Sequence, residues 1–79
     1  MTKIHTGAEH HSLAAKCHEQ AARHHHQASK DYEEKDYAHA AHQALIAHSH
    51  TQRAIFHGRE AGKYHAEHYD RAAPSAEIA

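Results

Sequence analysis

The stretch Gly7-Ala8-Glu9-His10-His11-Ser12-Leu13-Ala14-Ala15-Lys16-Cys17-His18-Glu19-Gln20-Ala21-Ala22-Arg23-His24-His25-His26-Gln27-Ala28-Ser29 decides the fold. Small pairs (Gly7-Ala8, Ala14-Ala15, Ala21-Ala22, Ala28-Ser29) recur every seven residues, and between them stand His10-His11, Cys17-His18 and His24-His25. Positions spaced i, i+3, i+4 and i+7 share one face of a helix. The inward stripe of this helix is therefore alanine, histidine and one cysteine where leucine would be usual. An apolar core needs no such residues, so the stripe is the place to seek function.

Outward positions carry Glu9, Lys16, Arg23 and Lys30 in one row and Ser12, Glu19 and His26 in the next, an ordinary solvated face. Thr6-Gly7-Ala8-Glu9 fits a capping box, in which the Thr6 hydroxyl meets the N3 amide and Glu9 reaches back. A turn is expected within 30–35, where Asp31-Tyr32-Glu33-Glu34 offers a second capping box and Asp36 a rival N-cap. The expected architecture is all-α: a short lead over 1–6, a helix over 7–29, a turn, a helix over 33–71 and a frayed tail over 72–79 beyond the Pro74 break.

The second helix has its own small stripe, Ala40, Ala44, Ala47, Thr51, Ala54, Gly58 and Ala61, so the two stripes are expected to face each other in an antiparallel hairpin. Gly58 and Gly62, each costing about 1 kcal/mol of helix propensity, mark tight packing or a kink near 58–62. The longer second helix would overhang the first. A second protomer covering it would give a two-fold homodimer and a four-helix bundle.

Composition supports the need for help in folding. Of the 79 residues 18 are alanine, and the bulkier apolar set is Met1, Ile4, Leu13, Leu45, Ile46, Ile55, Phe56, Ile78 and four tyrosines. Chains this short usually lean on a staple, a metal or a partner subunit. One cysteine excludes an internal disulfide and leaves a free thiol, a soft metal ligand or a cross-subunit bond. Nothing at Met1-Thr2-Lys3-Ile4-His5 reads as a signal peptide and no apolar run approaches a membrane span, so a soluble cytoplasmic protein is expected. Basic and acidic residues interleave around a formal charge of −1, which is no footprint for nucleic acid. Charging all 14 histidines would add 14 to that −1 and bring the chain to +13, so mild acid should load the stripe with repelling charge.

The candidate ligands follow from the stripe. His11 and His18 are separated by about 10.5 Å of helical rise, too far to share an ion, so each pair on the first helix needs partners from another. Folding the chain about residue 33 sets His24 and His25 against His42 and His39, Cys17 and His18 against His48 and His50, and His10 and His11 against His57. The phase of His50 and His57 lies off the small-residue stripe. The second helix also holds two chelating pairs of its own, His39-x-x-His42 and His65-x-x-His68. Imidazole suits Zn, Cu and Ni, and a neighbouring thiolate tilts the choice toward Cu(I) or Zn. The competing reading is a polar ladder, in which imidazoles hydrogen-bond to one another between alanine layers and set the register.

Several signatures are absent. Neither Glu-x-x-His nor His-Glu-x-x-His occurs, and there is no Cys-x-x-Cys, phosphate-cradling glycine loop or Gly-x-Ser-x-Gly. A catalytic function is not expected.

The heptads Ala14-Ala15-Lys16-Cys17-His18-Glu19-Gln20 and Ala21-Ala22-Arg23-His24-His25-His26-Gln27 resemble those of a group of small bacterial His/Ala-rich proteins. That group has repeated Ala-Ala-x-His-His-x-x units, a turn and a second His/Ala-rich helix, a likeness covering roughly residues 7–70 that implies a helical hairpin. Cys17 stands where the repeat has its first histidine. In architecture the chain also looks like a histidine-lined counterpart of the cysteine-lined bacterial copper-storage bundles, an analogy without their motif.

Overall fold

The computed structural model describes the backbone of residues 6–72 and the side chains of residues 6–67. Two helices make up the described chain: α1, Gly7–Glu33, and α2, Tyr37–Ala72. The expected tail therefore lies outside the described residues except for Ala72, and most of the lead does too.

Thr6 caps α1 as its sequence suggests. Its backbone is extended and its hydroxyl accepts from the Glu9 amide at 3.2 Å, which satisfies one of the open donors of the first turn. At the other end α1 runs four residues beyond the expected Ser29. It stops in a Schellman arrangement: the Asp36 amide donates to the Asp31 carbonyl at 2.8 Å and the Lys35 amide to the Tyr32 carbonyl at 3.0 Å. Lys35 takes the left-handed conformation this requires, with φ 64°. Asp36 then begins α2, its carboxylate accepting from the His39 amide at 3.2 Å. The connection is thus only 34–36, and the box at Asp31 is absorbed into α1.

The helices lie antiparallel. His10 meets His57 and His24 meets Gln43, so moving along α1 matches moving back along α2 by the same number of residues. Ala14, Ala21 and Ala28 of α1 and Ala40, Ala47, Ala54 and Ala61 of α2 are buried, and they are the whole apolar core of the described residues. A strict period of seven on both helices keeps these methyls on one seam. Between the alanine levels stand polar levels. They are His10, Cys17, His24 and Asp31 on α1, with Gln43, His50, His57 and Tyr64 on α2.

The hairpin buries only one residue of each adjacent pair on α1. Gly7, His10, Ala14, Cys17, Ala21, His24 and Ala28 face α2, whereas Ala8, His11, Ala15, His18, Ala22, His25 and Ser29 are exposed. On α2 the seam keeps Ala40, Ala47, Ala54 and Ala61, while Gly58 is exposed.

α2 is one unbroken helix through 58–62, and a Cβ placed on Gly58 or Gly62 would meet nothing within 4 Å. Neither glycine serves close packing within the chain. The first residue of α1 lies against Tyr64, since a Cβ on Gly7 would come 3.3 Å from the Tyr64 Cβ. Residues 65–72 therefore carry α2 on past the start of α1. Leu45, Ile55, Phe56, Tyr32 and Tyr37 are all exposed. Among the described residues no helix is long and apolar enough to cross a membrane.

Candidate functional site

Among the described residues, three clusters built on histidines cross the seam. Farthest from the turn, His10 of α1 and His57 of α2 bring their Nδ1 atoms to 3.0 Å, with ring centroids 5.2 Å apart. His10 is buried and His57 half-buried. The Tyr64 ring packs 6.1 Å from His10, and Phe56 meets His57 edge-on at 5.1 Å. Nearby, the Glu60 carboxyl is held below its ordinary value. The main cause is a hydrogen bond from Lys63, whose Nζ lies 3.0 Å away; desolvation opposes it, and the positive charge of Lys63 reinforces it.

In the middle of the hairpin, His24 Nδ1 lies 2.7 Å from Gln43 Oε1, and the His24 ring stacks on His50 with centroids 5.4 Å apart and planes within 11°. An amide oxygen only accepts, so His24 Nδ1 donates here.

Beside the turn, Asp31 is buried in α1. Its Oδ1 accepts from Gln27 Nε2 at 3.0 Å, and its Oδ2 faces His39 Nδ1 of α2 at 2.6 Å. Oδ2 is buried and makes no hydrogen bond, so its approach to His39 is a close charge contact without hydrogen-bond geometry. His39 itself is exposed and its ring lies 6.5 Å from that of His42.

Set against the expected rungs, the hairpin brings His10 to His57 directly. The expected meeting of His24 with His42 falls one residue away, on Gln43, while His42 is exposed. His39 meets Asp31, a residue the sequence presents as a cap signal. Cys17 is half-buried with a free thiol at the level of His50, but the His50 ring is engaged with His24. His48 is exposed and accepts from the Gln52 amide one turn along α2 at 3.0 Å. His11, His18 and His25 are exposed on the outer stripe. His65 is exposed and the His68 side chain lies outside the described residues, so that chelating pair is only half in view. Among the described residues no group of three His, Cys, Asp or Glu side chains gathers in a way that would hold a metal ion. What the hairpin assembles is pairs.

No protein-family model, curated protein or solved structure matches the chain.

Proposed function

We propose that this chain is a non-catalytic transition-metal binder, taking Cu, Zn or Ni through its imidazoles for buffering, storage or delivery. The observation that carries the reading is the approach of His10 Nδ1 to His57 Nδ1 at 3.0 Å across two helices. Zinc–imidazole bonds of about 2.0–2.1 Å put two nitrogens of a tetrahedral site roughly 3.3 Å apart. The pair is thus within a few tenths of an ångström of a chelating edge. A metal would take the place of the proton that one ring otherwise donates to the other. Two protein ligands leave the site half complete.

A second copy of the chain is the natural source of the remaining ligands. Among the described residues the core of the hairpin holds no side chain larger than alanine apart from polar ones, and Leu45, Ile55 and Phe56 stand 66%, 47% and 55% exposed. The outer stripe of α1 repeats the small-His pattern of the inner one. Two hairpins related by a two-fold axis would cover these faces and make a four-helix bundle with histidines at its seams.

The rival reading is a structural module in which the same contacts set the register and make assembly pH-dependent. The His24–Gln43 hydrogen bond favours it, because that level is satisfied without metal. Titration of the untagged protein with Cu(II), Zn(II) and Ni(II) against chromophoric chelators separates the two. Submicromolar binding that weakens below about pH 6 and drops at least tenfold in a His10→Gln/His57→Gln variant supports metal. Retained fold with no binding tighter than that of free imidazole overturns it.

A further inference from the structure

α1 carries a second stripe beside the one that packs on α2. Ala8, His11, Ala15, His18, Ala22 and His25 repeat the small-and-histidine pattern of the seam, each displaced by one residue, and all are exposed. One residue is about 100° around a helix, close to the right angle between the two neighbours that each helix of a four-helix bundle packs against. α2 has a matching stripe. Ala44, Thr51 and Gly58 form one row of it and His48, Ile55 and Gly62 the next, half-buried or exposed.

The two stripes lie on the same side of the hairpin. Tyr32 ends the row of His11, His18 and His25 at the same spacing of seven, Tyr37 opens the row of Ala44, Thr51 and Gly58, and the two tyrosine rings meet at 5.7 Å. On the opposite side Arg23, Gln27 and His39 line one groove. Charge divides the same way. Among the described residues no row of either stripe holds a Lys, Arg, Asp or Glu, while Lys16 and Lys30 share the row of Arg23, and Arg53 and Glu60 that of His39. The glycines belong to this division. A Cβ on Gly58 or Gly62 would meet nothing within 4 Å, so neither has a use inside the hairpin, yet each costs about 1 kcal/mol of helix propensity. On an exposed helix face they let another backbone come close.

We propose that this face without fixed charge is an interface for a second copy of the chain, the two hairpins meeting stripe to stripe across a two-fold axis. This rests on the two-copy arrangement above and narrows it, since of Leu45, Ile55 and Phe56 only Ile55 stands on the face. A two-fold interface sets a surface against itself, so a singly charged face would repel its copy and this one does not. The residue types at this spacing are those that already pack helix on helix in the seam. Area agrees with a second copy. Ala8 to His25 rises about 26 Å and two packed helices are roughly 18 Å across, which gives about 500 Å² on each copy. The pair together buries about 1,000 Å², the lower bound for a specific interface, so a reversible dimer is expected.

Sedimentation velocity of the untagged full chain at neutral pH, in chelator and in zinc(II), tests the face over about 1–500 µM. The expected result is a shift from the 8.9 kDa monomer toward twice that mass in both conditions. Ala15→Arg and Gly58→Arg, one on each helix, should each weaken the dimer about tenfold or more with helicity intact, because each sets an unpaired charge inside the interface. Ser49→Arg, on the groove side, should leave it within about twofold. A dimer that survives both interface changes but is lost in Phe56→Arg overturns this face and spares the two-copy arrangement. A chain still monomeric at the highest concentration, with and without zinc, overturns both and leaves the face to another protein's helices; the metal reading stands or falls by its own titration. Should either interface variant unfold, amide shifts of the unaltered chain on dilution decide. Shifts at Ala15, Ala22 and Gly58 support the face, and shifts confined to the groove side overturn it.

Discussion

His10 and His57 stand 47 residues apart in sequence and 3.0 Å apart at their Nδ1 atoms. At that distance the two nitrogens share either a proton or a metal, because two protonated imidazoles would repel and two bare lone pairs would face each other. Replacing His57 by Gln should remove one metal equivalent, or lower its affinity at least tenfold, while circular dichroism stays helical. Equilibrium dialysis with elemental analysis reads the loss.

The alanine seam sets how closely the helices approach. Ala47 is fully buried, whereas Ala41 one face away is exposed. Ala47→Leu is therefore expected to cost about 1–3 kcal/mol by forcing the helices apart. Ala41→Leu should change stability by no more than about 0.5 kcal/mol. Thermal or urea unfolding of the two variants side by side checks the contrast.

Lys35 holds the left-handed position of the turn with a side chain on its Cβ, at a cost of about 1–2 kcal/mol that glycine would not bear. Glycine in turn has more unfolded-state freedom to lose, worth about 0.5–1 kcal/mol. Lys35→Gly should come out more stable by about 0.5–1 kcal/mol, seen as a raised Tm with unchanged helicity. A lowered Tm would mean that the Schellman turn is not what ends α1.

Glu60 has a carboxyl depressed below its ordinary 4.5 by Lys63, so its contribution to stability is present above that value and fades as pH falls through the lower folded one. Lys63→Met should raise the Glu60 titration toward 4.5 and flatten that part of the acid limb. Carboxyl NMR titration of both chains measures it.

Much of the hairpin was readable from residue types. Thr6 and Glu9 marked the start of α1, and the sevenfold recurrence of small residues at Ala14, Ala21 and Ala28 and at Ala40, Ala47, Ala54 and Ala61 marked the seam. The facing of His10 and His57 followed from folding the chain about its one turn. Which member of each pair turns inward did not follow. Adjacent residues lie about 100° apart on a helix and both satisfy the stripe, so only the azimuth of the partner helix separates His10 from His11 or His24 from His25. The same ambiguity moved the partner of His24 from His42 to Gln43. The end of α1 was hidden because Lys35, not glycine, occupies the left-handed position, and Ser29 and Asp31 look like turn residues. Asp31 escaped notice as a seam residue for a related reason. Its importance comes from burial and from His39 across the seam, and neither leaves a local trace.

The measurement that bears most directly on the central claim is native mass spectrometry of the untagged protein, purified without a nickel column and supplied with Cu, Zn or Ni. The account predicts stoichiometric metal on a dimer of the 8.9 kDa chain, lost when His10 and His57 are changed together to Gln. A folded chain that carries no metal from any of the three ions, or carries it equally after those two changes, would contradict it.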